Sequence, residues 1–170
     1  MAREAYYQPV PDTAAGEAWR MMQRLFFEGL GHDLMAKACA EAGTPPGAVK
    51  ALIHLSPTVP TPMRDIAAHF SIDASYVTAL VDDLEREGLA ERRPHPTDRR
   101  IKTIALTEHG IDVQRRVHDV MSTPPACFDA LSETEKRQLR DILTKLVAAD
   151  PRLAAAQLDA PHSLGVHPHT

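Results

Sequence analysis

In this 170-residue chain the side chains best suited to chemistry are cationic and hydroxylic rather than nucleophilic or metal-ligating. Asp98-Arg99-Arg100 closes the run Pro94-His95-Pro96-Thr97-Asp98-Arg99-Arg100, which has two prolines and no apolar residue. A guanidinium at the tip of such a loop can enter a narrow DNA minor groove, where the negative potential favours it. Arg100 is the foremost candidate, with Asp98 and Arg99 beside it. Upstream, Ser75, Tyr76 and Thr78 set three hydroxyls near a helix start, which suits contacts to phosphates and base edges. An enzyme finds no comparable support: there is no phosphate-cradling glycine loop, no H-E-x-x-H and no G-x-S-x-G.

A helix, a turn and a hairpin must position these groups. Val77, Leu80, Val81 and Leu84 recur at helical spacing and make one apolar stripe. Asp73 is placed to cap this helix, Gly88 to end it, and Arg86 to face the negative end of its dipole. The opposite face carries Ser75, Ala79, Asp82 and Arg86, flanked by Tyr76 and Thr78. Upstream, Thr61-Pro62 reads as a cap with a first-turn proline, and Ile66, Ala67 and Phe70 as a short helix. Ser71-Ile72 makes the turn between the two helices. Two helices so closely joined form a helix-turn-helix, whose second member can enter a major groove. After Gly88 the period changes to two in Leu89–Arg93 and Lys102–Leu106, with Ile104 and Leu106 sharing a face. The long loop between these strands projects as a wing.

With the wing in place, the sequence resembles the MarR family of bacterial transcription regulators. Asp98-Arg99-Arg100, the five residues Ile101 to Ala105, and Leu106-Thr107-Glu108-His109-Gly110 match the family's wing signature, D-x-R, five residues, L-T-x-x-G, at every fixed position. The run from Val77 to Leu89 is similar to the family's recognition helix, and the resemblance covers roughly residues 13 to 150. It implies that Arg100 is the minor-groove residue and that Asp98 holds the wing arginines in place. It also implies a dimer built from the first and last helices, and release from DNA by a small, often aromatic, ligand. Ala79 stands where family members often carry arginine, and Asp83 replaces a frequent basic residue. With Asp82 alongside, the helix is acidic, so affinity is expected to rest on the wing and the helix termini.

Composition sets the outer limits. The length suits one domain with a sizeable core. The net charge of -4 runs mildly against DNA binding, but its distribution favours it. Residues 86 to 102 hold six Arg or Lys against three acids, a window of +3, while the remainder carries -7. No apolar run reaches membrane-span length, and MAREAYYQPVPD lacks the apolar core of a signal peptide, so no membrane is expected. Two cysteines, Cys39 and Cys127, make neither a disulfide framework nor a metal motif, and a cytoplasmic setting is expected.

The expected organisation is mainly α with a small β-hairpin wing (α+β). Residues 1–12 form an N-terminal extension, 13–43 and 111–150 a helical dimerisation region, 44–110 the winged helix-turn-helix and 151–170 a tail. The first long helix is capped by Asp12 or Thr13 and interrupted at Gly29 and Gly31, where a kink or close crossing is expected. Gly43 ends it, and Thr44-Pro45-Pro46 is read as the cap of the next, with Val49, Leu52, Ile53 and Leu55 on its core face. Val59 is the candidate for a brief third strand beside the wing. Thr107 caps a helix to about Met121, Ser122-Thr123-Pro124-Pro125 breaks it, and Ser132 to Glu135 is a capping box opening the last helix. There Leu139, Ile142, Leu143, Leu146 and Val147 are expected to face inward.

The helices at the two ends carry more apolar surface than a small winged domain can cover, so a second copy is the expected partner, alongside double-stranded DNA. Trp19, Met22 and Phe26 are candidates to line an effector cleft, with His32 or His54 as donors; plain core or dimer interface is the competing reading. No cofactor or metal is expected: His162, His167 and His169 lack accompanying ligands at fixed spacing. The leading reading is therefore a homodimeric, ligand-responsive repressor. The alternatives are an interaction module with weak or no DNA binding, suggested by Ala79, Asp82 and Asp83, and a redox sensor using Cys39 or Cys127.

Overall fold

Side-chain caps decide where most of the helices begin. In the computed structural model, which describes residues 13–95, 101–151 and 153, Thr13 accepts the Gly16 N–H at 3.1 Å and opens α1 (Ala14–Gln23). This helix runs into a π-helical segment, Arg24–Leu30, and then into α2 (Gly31–Ala42). The disturbance expected at Gly29 and Gly31 takes the form of a change in winding. Gly31 N–H bonds the carbonyl of Phe26, five residues back, and a Cβ on Gly31 would lie 2.5 Å from that oxygen. Glycine is what allows the wider turn to close there.

The fold departs from three sequence expectations. Thr44 does not cap α3 (Pro46–His54): Pro45 is the N-cap, with extended backbone, and Thr44 Oγ1 is buried with no hydrogen-bond partner among the described residues. Two consecutive prolines push the helix start one residue past the reach of the threonine hydroxyl. The third strand is not at Val59, which is exposed, but at β1 (Thr61–Pro62). Nor is Thr61-Pro62 a cap, since α4 (Met63–Phe70) follows Pro62 with no side-chain bond to its first turn. An edge strand tolerates proline because its outer N–H would be unpaired in any case.

Ser71, in the left-handed region at φ 52°, turns the chain from α4 into α5 (Ala74–Arg86), and Gly88 at φ 67° turns it out again. β2 (Ala90–Pro94) and β3 (Lys102–Leu106) then form the hairpin, with Ala90 opposite Leu106 and Pro94 opposite Lys102. The antiparallel sheet has the order β1-β3-β2. Because β3 lies in the middle, Thr103, Ile104, Ala105 and Leu106 are all buried, not just the alternate pair expected of a half-exposed strand. α6 (Glu108–Ser122), a 3-10 turn at Ala126–Ala130 and α7 (Glu133–Ala149) complete the described chain.

The core sits at the centre. Leu52 and Val49 from α3, Val77, Val81 and Leu84 from α5, Leu89 and Ile104 from the hairpin region, and Val113 and Val117 from α6 are almost wholly buried. Ala38 and Ala42 of α2 join them. The L-T-x-x-G run has a double task here. Thr107 Oγ1 accepts the Gly110 N–H at 2.9 Å to cap α6 and donates to the Gly88 carbonyl at 2.7 Å, tying that cap to the end of α5. Gly110 faces the strand so closely that a Cβ would fall 1.8 Å from the Leu89 carbonyl oxygen. Gln114, also buried, donates to the carbonyls of Leu52 and Leu55 at 2.6 and 2.8 Å and so closes the C-terminal end of α3.

The capping box of α7 is present, with Ser132 N–H donating to Glu135 at 2.8 Å. The inward face expected beyond it is not buried within one chain. Ile142, Leu143 and Leu146 are exposed, as are Trp19, Met21, Leu25, Phe26 and Phe27 near the other end. α7 has no extensive packing with any other described element of its own chain, which leaves that stripe uncovered. No described helix is long and apolar enough to cross a membrane.

Candidate nucleic-acid interface

The start of α5 is built by one carboxylate. Asp73 accepts the Tyr76 N–H at 2.8 Å and the Ser75 hydroxyl. The Ser75 bond first, and then the backbone bonds, hold the Asp73 carboxyl below its usual range, so it stays ionised. This arrangement commits the Ser75 proton inside the helix. Thr78 is committed in the same way, donating to the Ala74 carbonyl at 2.9 Å. Of the three hydroxyls, Ser75 and Thr78 therefore present acceptor lone pairs outward as they stand. The Tyr76 ring is half exposed, and its oxygen would lie 2.9 Å from a Cβ built on Gly47. Gly47 thus lets α3 and α5 cross closely, with Leu80 as the other near neighbour. Ala79 is exposed beside this group.

The acidity of α5 has a structural account that the sequence did not reveal. Asp82 bonds Arg92 Nη2 at 2.6 Å, and Glu85 bonds Arg92 through both its side chain and its backbone N–H, the latter at 2.8 Å. Arg92 Nη2 also reaches the Thr78 carbonyl at 3.4 Å. Asp83 pairs with Arg86 at 2.8 Å. Both aspartates that looked adverse to DNA are therefore matched by arginines of the same chain. Along the hairpin Arg93 pairs with Glu91, while Lys102 is exposed. The hairpin continues past Pro94, where His95 N–H donates to the Ile101 carbonyl at 3.0 Å. Asp98, Arg99 and Arg100 lie outside the described residues, as do His162, His167 and His169 of the tail.

The effector candidates are not gathered into one cavity in the single chain. Trp19 and Phe26 are more than half exposed, Met22 is partly buried, and His32 is exposed 3.9 Å from Asp33. His54 lies apart, packed against His69 and Phe70 with ring centroids 4.6 and 5.3 Å away. The residue keeps solvent contact overall, yet burial of its ring pushes its pKa down, and His69 and His118 add to the shift. A cavity of about 370 Å³ opens elsewhere, against α7, lined by Phe128, Lys136, Leu139, Arg140, Leu143, Thr144, Val147 and Ala148. Among the described residues, no cluster of three or more His, Cys, Asp or Glu side chains could hold a metal ion. Burial raises the Cys39 thiol above its ordinary pKa, which opposes thiolate chemistry; Cys127 is exposed.

Residues 46–102, spanning α3 to the start of β3, match the MarR family. Over 84 residues the chain is 32% identical to the HTH-type transcriptional regulator BilQ of Clostridium symbiosum (strain WAL-14163), covering 49% of this chain and 58% of that protein. Over 75 residues it is 39% identical to the transcriptional repressor MprA of Escherichia coli (strain K12), covering 42% and 41%. The chain thus spans about half the length of the curated relatives it matches. In three dimensions it is similar to the YusO protein from Bacillus subtilis, with TM-score 0.66 and 25% identity, covering 80% of this chain and 96% of that one.

Proposed function

We propose that the chain is a member of the MarR family and, from that premise, a dimeric, sequence-specific DNA-binding regulator acting as a repressor. The observation that carries the reading is the joined recognition unit. α5 presents Ser75, Tyr76, Thr78 and Ala79 on an exposed face, next to a hairpin between whose two strands the sequence carries Asp98, Arg99 and Arg100. A helix for the major groove beside a cationic tip for the minor groove suits duplex DNA. The repressor role draws support from the name of MprA.

The uncovered ends support a two-fold pairing. Trp19, Phe26, Ile142 and Leu146 are each more than half exposed in a single chain, and apolar surface is worth about 25 cal/mol per Å² when removed from water. Two copies would then carry two recognition helices to half-sites about one helical turn apart. A small aromatic effector belongs to the same reading, with Trp19, Met22, Phe26, His32 and His54 as its candidate neighbours once the second chain is present. The pairing of Asp82 and Asp83 within the chain removes the two aspartates from the argument for a non-DNA interaction module, which then rests on Ala79 alone.

Selection of bound duplexes from a random pool tests the proposal. The expected product is an imperfect palindrome, and Arg100→Ala should weaken its binding by about 1–3 kcal/mol. Failure to enrich any duplex, or an Arg100→Ala protein with undiminished affinity for the enriched site, contradicts it.

A further inference from the structure

We infer that Arg92 is a positioning residue that sets the wing against the recognition helix rather than a phosphate contact, and that Asp82 and Glu85 serve DNA recognition by holding it. This inference rests on the DNA-binding reading above. Arg92 lies on β2 opposite Ile104, with its side chain largely covered. Its guanidinium takes Glu85 on one nitrogen and Asp82 with the Thr78 carbonyl on the other, while its backbone N–H takes the second Glu85 oxygen. One residue of the hairpin is thereby bonded to three positions, 78, 82 and 85, along successive turns of one side of α5. The planar fork of arginine suits this task, and a lysine ammonium would not reproduce it.

The other arginines paired nearby differ in kind. Arg86 with Asp83 and Arg93 with Glu91 pair within one element, with their arginine side chains more than half exposed, and link nothing to anything else. Such pairs open easily toward a phosphate. Arg92 would have to leave two carboxylates and a carbonyl to reach DNA. The strut and the phosphate-contact readings therefore give opposite signs for the same substitution. Removing the two carboxylates makes the DNA-facing surface more positive. That favours binding if Arg92 is waiting for a phosphate, and harms it if Arg92 is a strut.

The experiment uses the full chain with the duplex it selects and a scrambled duplex of equal length, for the wild type, Asp82→Asn/Glu85→Gln, Arg92→Lys and Arg92→Gln. Amide hydrogen exchange of the hairpin without DNA is followed alongside. The double variant should bind the selected duplex about tenfold more weakly despite its added positive charge, with scrambled-duplex binding equal or stronger. Arg92→Lys should show the same loss although it keeps the charge. Arg92→Gln should leave the salt dependence unchanged, whereas Arg100→Ala should lower its slope by about one. Hairpin amides should exchange faster in all three strut variants. Tighter selected-duplex binding by the double variant, or a slope lowered by about one in Arg92→Gln, overturns the inference. So does hairpin exchange that stays at the wild-type rate. If the wild type selects no duplex, the functional reading fails, and the exchange measurement still decides whether Arg92 holds the wing.

Discussion

Leu52 and Leu146 are the same side chain in opposite surroundings: Leu52 is 0% exposed in the central core, and Leu146 is 52% exposed on α7. The same contrast runs through the regions around them. From α3 to α6 the apolar residues meet one another, the helix ends are closed by named partners, and close approaches are made where glycine allows them. The segment from Trp19 to Phe27 and the α7 stripe carry as clear a pattern of large apolar residues, yet meet solvent. A patterned helix that its own chain leaves uncovered is built for another surface. The centre holds itself together; the ends are left exposed in a single chain, as the proposed pairing requires.

The harshest challenge to this division is Gly110→Ala. The new Cβ would fall on the Leu89 backbone carbonyl, which no side-chain rotation can relieve, so α6 must separate from the chain entering β2. A loss of about 4 kcal/mol or more is expected in chemical denaturation. Leu52→Ala should cost about 3 kcal/mol through the cavity it leaves. Leu146→Ala should leave the unfolding of the dilute chain nearly unchanged and weaken self-association about tenfold in sedimentation. Equal effects of the two leucine truncations on the dilute chain would erase the distinction between centre and ends.

A smaller effect is expected from Gln114→Leu, which leaves the Leu52 and Leu55 carbonyls buried without their donor, at about 2 kcal/mol by denaturation. The smallest belongs to His54. Its pKa in the fold lies below the ordinary 6.5, so as the pH falls through that value the unfolded chain takes up a proton that the folded chain resists. Stability should therefore decline on acidification below about pH 6.5 and be unaffected by His54 above it. In His54→Gln the thermal midpoint should depend less on pH in that range, and an unchanged slope would count against the shift.

What could be read from the sequence was what local chemistry decides. Asp73, Thr107 and the Ser132–Glu135 box were legible because a cap acts over three residues. The stripe Val77, Leu80, Val81 and Leu84 was legible because helical period alone gathers it. The rest depends on residues distant in the chain. Thr61-Pro62 has the form of a helix start and becomes a strand because β3, some forty residues later, pairs with it. Gln114 carries no local signal, because the carbonyls it bonds lie 59 and 62 residues away. Asp82 looked like a penalty until Arg92 came to meet it across the hairpin. The segment between the two strands stood out by its composition, with two prolines and no apolar residue, and Asp98, Arg99 and Arg100 within it lie outside the described residues.

The most direct measurement is a titration of the selected duplex by fluorescence anisotropy at a series of salt concentrations, with the number of bound chains determined by sedimentation. Two chains per duplex are expected, with affinity falling steeply as salt rises, about one logarithmic unit of slope for each phosphate neutralised. A single chain on the duplex, or an affinity indifferent to salt, would contradict the account of a paired winged helix held to DNA by its basic tips.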